Sequence, residues 1–187
     1  MPVMLPGQDA RMRRALLNIA MHCAALLASG VFGSNAATAQ PPSIAGVVRY
    51  VIDGDTLLLQ PDAGADRAIK LRLLGLDAPE ICQDGGREAR DALAARVVGR
   101  RVLATGAVRD DYQRRLVTLT QGGEDIGAWM VWQGHAWSAS FRGRSGPYAQ
   151  EEAAARAARR GIFAAPDPQP PRSFRRKHGS CYPASAP

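Results

Sequence analysis

The chain has 187 residues, of which 46% are hydrophobic and 22% charged, so a packed core is within reach and wholesale disorder is excluded. Its 24 Lys plus Arg against 17 Asp plus Glu give a net charge of +7, which favours polyanionic partners such as nucleic acid or anionic lipid. Three Cys and three His exclude a disulfide-dense miniprotein and a zinc-finger array, and the length allows one medium domain with tails.

Arg11, Arg13 and Arg14 precede an apolar run from Ala15 to Phe32, and Ala37-Thr38-Ala39 follows. A basic head, an apolar middle and a small-residue site describe a secretory signal over residues 1–39, cut after Ala39, with Met12 as an alternative start. Asn18 and His22 interrupt the run and weaken the competing reading, an uncleaved membrane anchor. The expected product is exported, periplasmic or secreted, monomeric, and without stable membrane association. Cleavage removes Cys23 and leaves Cys82 and Cys181, an even pair for which an oxidising compartment favours a disulfide over two free thiols.

Residues 40–45 read as a short lead-in. Val47–Ile52 is β-branched and aromatic with only loose alternation, Asp53-Gly54 is a turn signal, and Thr56–Leu59 resumes a strand, so the first unit is a β-hairpin. Ala68–Leu76 reads as a third strand with Ile69, Leu71, Leu73 and Gly75 on one face and Lys70, Arg72 and Leu74 on the other. Gly86–Val98 carries Ala89, Leu93, Ala94 and Val97 at helical spacing. Arg101–Val108 and Arg115–Thr120 read as two more strands, Asp125–Gln133 and Tyr148–Arg160 as helices, and residues 165–187 as a Pro- and Arg-rich tail with no core of its own. Five strands with an interposed helix and about three helices in all suit an α+β fold over residues 46–164, a small barrel of the oligonucleotide-binding (OB) type.

Charged residues cluster where a purely structural reading would not place them. Asp53-Gly54-Asp55-Thr56 puts two carboxylates into a hairpin, Asp77-Ala78-Pro79-Glu80 puts two more directly after the strand bearing Arg72, and Tyr112-Gln113-Arg114 leads another arginine into the next strand. The chain here resembles the thermonuclease, or staphylococcal-nuclease-like, family. The matching segments are Val51-Ile52-Asp53-Gly54-Asp55-Thr56-Leu57, Arg72-Leu73-Leu74-Gly75-Leu76-Asp77-Ala78-Pro79-Glu80, Asp110-Asp111-Tyr112-Gln113-Arg114 and Gly134-His135-Ala136-Trp137. Tyr148, Glu151, Ala155-Arg156 and Gly161-Ile162-Phe163 complete the order.

The resemblance implies a calcium-dependent, sequence-nonspecific endonuclease acting on DNA and RNA and leaving 3′-phosphate ends. It carries calcium ligation onto Asp55, Asp77 and the main-chain carbonyl of Ala78, where the family often has Thr. Hard oxygens of this kind are what Ca2+ takes. It places Arg72 and Arg114 as the catalytic arginines, Glu80 as the residue that orients or deprotonates the attacking water, and Tyr112 near the nucleotide. Guanidinium groups suit the task because they stay charged and grip phosphate oxygens in pairs. Where the family usually has Gly before the second arginine, this chain has Gln113, which would strain a backbone of positive φ there.

Taken singly, Asp53 and Asp55 read as turn formers, Arg72 as an exposed strand arginine, Glu80 as a helix cap and Arg114 as a surface partner of Asp110 or Asp111. Their joint order favours the site. Trp129, Trp132, Trp137 and His135 read as packing residues. Arg142, Arg144, Arg172, Arg175, Arg176 and Lys177 form basic stretches able to meet phosphates or only solvent. A disulfide between Cys82 and Cys181 would tether that basic tail near Glu80. The alternative function is a catalytically silent nucleic-acid-binding module on the same barrel.

Overall fold

The computed structural model describes residues 41–64, 66–140 and 143–181. The expected export signal, Cys23 and Arg142 lie outside them. Strand β1 (Ser43–Asp53) turns through Gly54 and Asp55 into β2 (Thr56–Pro61), with Val51 opposite Leu57 and Asp53 opposite Thr56. β1 starts three residues before the predicted domain boundary, because Ser43 to Gly46 pair with the fifth strand. Its register shifts between Val48 and Tyr50 and again between Val51 and Asp53. These irregularities explain the loose alternation: Val48 and Val51 both point inward while Tyr50 stays exposed. They also bend β1 enough to serve two neighbours around a closed surface.

β3 (Ile69–Leu73) pairs antiparallel with β2, β5 (Arg101–Thr105) with β1, and β6 (Arg115–Gln121) with β5. β6 then closes the circuit by pairing parallel with β3, Leu71 opposite Arg115 and Leu73 opposite Val117. The result is a closed five-stranded mixed barrel of OB type, with no open edge among its main strands. Alternate residues fill it: Leu57 and Leu59, Leu71 and Leu73, Val102 and Ala104, Val117 and Leu119 are all buried. Each such Leu or Val contributes about 1.5–3 kcal/mol by leaving water.

The predicted strand Ala68–Leu76 breaks in two. Gly75 has φ 84°, and a Cβ there would lie 2.5 Å from the Pro147 ring, so the chain turns tightly at Leu74-Gly75. The continuation, β4 (Leu76–Asp77), leaves the barrel and pairs with β8 (Trp137–Ser138); a short β7 (Glu124–Asp125) folds back antiparallel on the end of β6. Arg101–Val108 likewise ends early, at Thr105.

Helix α1 (Gly86–Val97) lays Ala89, Leu93 and Val97 on the core, and α2 (Ile126–Trp132) adds Ile126, Met130 and Val131. Asp125 caps α2 by accepting from the Ala128 N–H at 3.1 Å, and also accepts from the buried Tyr148 hydroxyl at 3.1 Å. Helix α3 (Ala149–Ala157) and a 3-10 turn (Gly161–Ala164) hold a second cluster of Trp137, Ala155 and Phe163, with the two rings edge to face at 5.7 Å. Trp129 packs near His135 at 6.0 Å, and the Arg160 guanidinium covers Trp132 at 3.9 Å, so the indoles serve packing as expected.

The tail departs from expectation. It forms a fourth helix, α4 (Pro171–His178), with Pro171 at its first turn. Only Pro171 of α4 is buried, and the helix is tied down by a disulfide and polar contacts, with Phe174 stacked on His178 at 4.6 Å. Among the described residues no helix is long and apolar enough to cross a membrane.

Candidate active site

The first carboxylates lie where β1 turns into β2. Gly54 is required by close approach: a Cβ would sit 2.6 Å from the Ala78 Cβ and 2.8 Å from the Ala89 Cβ. The turn therefore seats directly against the loop after β4 and against α1. Asp55 is 3% exposed, and its backbone N–H donates to Asp53 Oδ1 at 3.1 Å. Asp53 is thus a turn-former beside the site. The Asp55 carboxylate accepts from the Thr56 hydroxyl at 2.8 Å and from Arg72 Nη1 at 2.9 Å.

Arg72 lies opposite Thr56 on β3, on the face its alternation predicts. One terminal nitrogen holds Asp55 Oδ1, the other holds Asp77 Oδ1 at 3.1 Å, so a single guanidinium bridges the two carboxylates. Burial works against its charge, but Asp55, Asp77 and Asp53 outweigh this and raise its pKa above the ordinary value. Burial pushes Asp55 the other way for a carboxylate, up to about 6 from 3.8, with Arg72 opposing and Asp53 reinforcing the rise. A buried acid so reluctant to ionise is under-compensated, the condition in which a further cation is welcome.

The second oxygens of the pair are weakly engaged. Asp55 Oδ2 accepts from the Ala78 N–H at 3.4 Å, and Asp77 Oδ2 meets Arg175 Nη2 at 3.4 Å. Two converging carboxylates, each with an oxygen on long contacts only, are hard-oxygen donors of the kind a divalent cation takes. Among the described residues no group of three or more His, Cys, Asp or Glu could hold a metal ion, so a cation here would rest on two carboxylates with main-chain and water oxygens.

Glu80 follows at the mouth of the loop leading to α1. Gln83, 8% exposed, organises that loop: its amide oxygen accepts from the Glu80 N–H at 3.2 Å, its carbonyl accepts from the Gly86 N–H at 2.9 Å, and its amide nitrogen donates to the Gln169 carbonyl at 2.6 Å. The Glu80 carboxylate takes Arg175 Nη1 at 2.7 Å. Cys82 and Cys181 are bonded, as the even pair led us to expect.

Arg114 and Tyr112 stand apart from this cluster. Both belong to the turn entering β6, where Asp110 accepts from the Tyr112 N–H at 3.0 Å, the Arg114 N–H at 2.9 Å and Arg114 Nε at 2.7 Å. Burial raises the Asp110 carboxyl, yet its bonds from Arg114 and Tyr112 prevail and hold it below the ordinary range. The Arg114 guanidinium lies 5.2 Å from the centre of the Tyr112 ring, which is 80% exposed. Gln113 has φ 60°, so the turn does adopt the left-handed backbone that its family usually gives to Gly. The Asp110 cap, with Arg109 donating to the Gln113 carbonyl at 2.8 Å, holds it there. β3 and β6 set Arg72 opposite Leu116, and alternation puts Arg114 on the same face two residues earlier. In this state Arg114 pairs with Asp110 rather than with the acidic cluster. Arg175 and Gln83 are the site residues that motif reading passed over; the cysteine pair was the available signal for both.

The barrel, with its acidic pair bridged by an arginine at the β1–β2 turn and β4, defines an OB-fold-like α+β domain. The profile described as "Staphylococcal nuclease homologue" matches residues 70–165. The chain is similar to a protein named an uncharacterized endonuclease from Escherichia coli O157:H7, 34% identical over 137 residues covering 72% of this chain and 86% of that one. It is also similar to an uncharacterized endonuclease from Haemophilus influenzae, 32% identical over 68% of this chain and 70% of that one. A probable staphylococcal-like nuclease from Oryza sativa subsp. japonica is 32% identical over 59% of this chain and 29% of its own length. This protein belongs to the staphylococcal nuclease homologue family.

Proposed function

We propose that this chain is an exported nuclease: a calcium-dependent, sequence-nonspecific endonuclease that hydrolyses DNA and RNA and leaves 3′-phosphate ends. The observation that carries the reading is the bridging of Asp55 and Asp77 by Arg72, with Glu80 on the adjoining loop. Family membership, the names of the relatives and the chain's net charge of +7 support nucleic acid as substrate. Asp55, Asp77 and the Ala78 carbonyl would hold the Ca2+, which supplies Lewis-acid charge stabilisation and a template for the phosphate when bound.

The chain's own residues then divide the work. Arg72 holds the negative charge that grows on the phosphoryl oxygens, and Arg114 does the same once substrate draws it from Asp110. Glu80 orients a water and takes its proton as the new P–O bond forms. A 3′-phosphate product requires the P–O5′ bond to break. Tyr112, exposed beside Arg114, would be free to meet the nucleotide in this reading. The Cys82–Cys181 bond supports export to an oxidising compartment, which N-terminal sequencing of the exported product would check.

The test is digestion of single- and double-stranded DNA and of RNA by the purified protein, with calcium or with chelator. Glu80→Gln should lower kcat by about 10²–10⁴-fold while the unfolding curve stays in place. Cleavage that survives complete calcium removal would overturn the metal assignment. Binding without cleavage would favour the silent module.

A further inference from the structure

Helix α4 lies beyond residues 70–165, the span that the family model matches, and it reaches the candidate site. It is clamped at both ends to one short loop. Before its start, the Gln169 carbonyl accepts from Gln83 Nε2 at 2.6 Å; after its end, Cys181 is bonded to Cys82 and its sulfur accepts from the Cys82 N–H at 3.3 Å. Both clamps are within three residues of Glu80. Arg175, midway along α4, spans the gap between them and donates to Glu80 Oε1 at 2.7 Å.

We propose that Arg175 is a positioning residue of the nuclease site, holding the Glu80 carboxylate in its working orientation, and that α4 and the Cys82–Cys181 disulfide exist in this chain to deliver it. The proposal rests on the hydrolytic reading of the site. Glu80 follows Pro79 on a loop, outside any helix or strand, and Arg175 is the partner recorded for its carboxylate among the described residues. The grip takes Oε1 and leaves Oε2 for the attacking water. A guanidinium is suited to this because its planar fork fixes direction as well as charge.

The distances separate positioning from plugging. An arginine that blocked the metal site would take the Asp77 oxygens in short bonds. Arg175 instead stands 3.4 and 3.5 Å from them and makes its one short contact to Glu80. Arg175 therefore pairs with Asp77 only through these longer contacts and spends its short bond on Glu80.

The experiment compares the wild type with Arg175→Ala, Arg175→Lys and the double variant Cys82→Ser/Cys181→Ser. It uses steady-state kinetics on a DNA oligonucleotide, calorimetric titration of calcium alone, and urea unfolding. Misdirecting the carboxylate should lower kcat of Arg175→Ala about tenfold to hundredfold, with KM and calcium affinity moving less than about threefold. Arg175→Lys should recover part of the loss, since an ammonium keeps the charge and one bond. The cysteine variant should lose kcat in the same direction, and adding Arg175→Ala to it should cost less than in the wild type, because both changes release one contact. An unchanged kcat in Arg175→Ala overturns the proposal, as does a rise in kcat with tighter calcium binding, the signature of a plug. A wild type that cleaves beside an equally active Arg175→Ala removes this inference alone; a wild type that does not cleave removes the hydrolytic reading beneath it.

Discussion

Arg72→Ala removes the guanidinium that bridges Asp55 and Asp77, and the structure sets both the size of the loss and its dependence on pH. The Asp55 side chain is 5% exposed, so its charge has almost no access to water once Arg72 is gone. Breaking such a pair costs about 3–5 kcal/mol while the remaining partner stays ionised. Asp77 suffers less, because it is 21% exposed and keeps Arg175. In the metal-free wild type, Asp55 titrates near 6 in the fold against 3.8 unfolded, so the native state binds more protons across that interval. Its contribution to stability is therefore complete below pH 3.8 and is lost as pH rises through about 6.

Arg72 is the largest influence pulling the Asp55 pKa down, so removing it carries the value above 6 and prolongs that loss to higher pH. Each further unit adds about 1.4 kcal/mol to the difference between variant and wild type. At pH 5 the carboxyl is mostly protonated in both proteins and the substitution should cost little through this pair. At pH 8 it should cost most of the 3–5 kcal/mol named above, or about 3 kcal/mol after the carboxyl takes up part of a proton. Urea unfolding in chelator at the two pH values measures this directly. Equal losses at pH 5 and pH 8 would refute the reasoning, because the pair would then owe nothing to the ionisation of Asp55. Calcium added at pH 8 should restore part of the loss if Asp55 and Asp77 are its ligands.

Gln113→Gly should relieve the left-handed backbone at φ 60° by about 1–2 kcal/mol, offset by the greater freedom of an unfolded glycine, for a net gain of about 0.5 kcal/mol. Thermal unfolding checks it, and a clear drop in Tm would mean that the Gln113 side chain carries more than the turn shows. Tyr148→Phe should cost about 1.5–2 kcal/mol in urea unfolding, because the hydroxyl donates to the Asp125 carboxylate that also caps α2. An unaltered midpoint would show that water replaces the hydroxyl at no cost.

Local patterns carry much of this protein on their surface. Alternating apolar residues in Ile69–Leu73 and the helical spacing of Ala89, Leu93 and Val97 follow from a side-chain period of two or of 3.6, the Asp53-Gly54 turn from its turn-forming residues, and the fold contains each of them where the pattern puts it. Asp55, Arg72, Asp77, Ala78 and Glu80 came to notice through the order of motifs shared with the resembled family, since taken singly each has a plain structural reading, and contacts such as Asp55 with Arg72, 17 residues apart, appear only in the fold.

Other features depend on partners far along the chain, which no local period records. The parallel closure of β6 on β3 and the close approach of Pro147 to Gly75 both needed the folded neighbours to be known. So did the approach of Arg175 to Glu80, 95 residues apart, across a disulfide that spans 99. Periodicity can report which face of an element is apolar. It carries no information on which distant charge will arrive opposite a given carboxylate, since electrostatic and disulfide partners meet through space and not along the backbone.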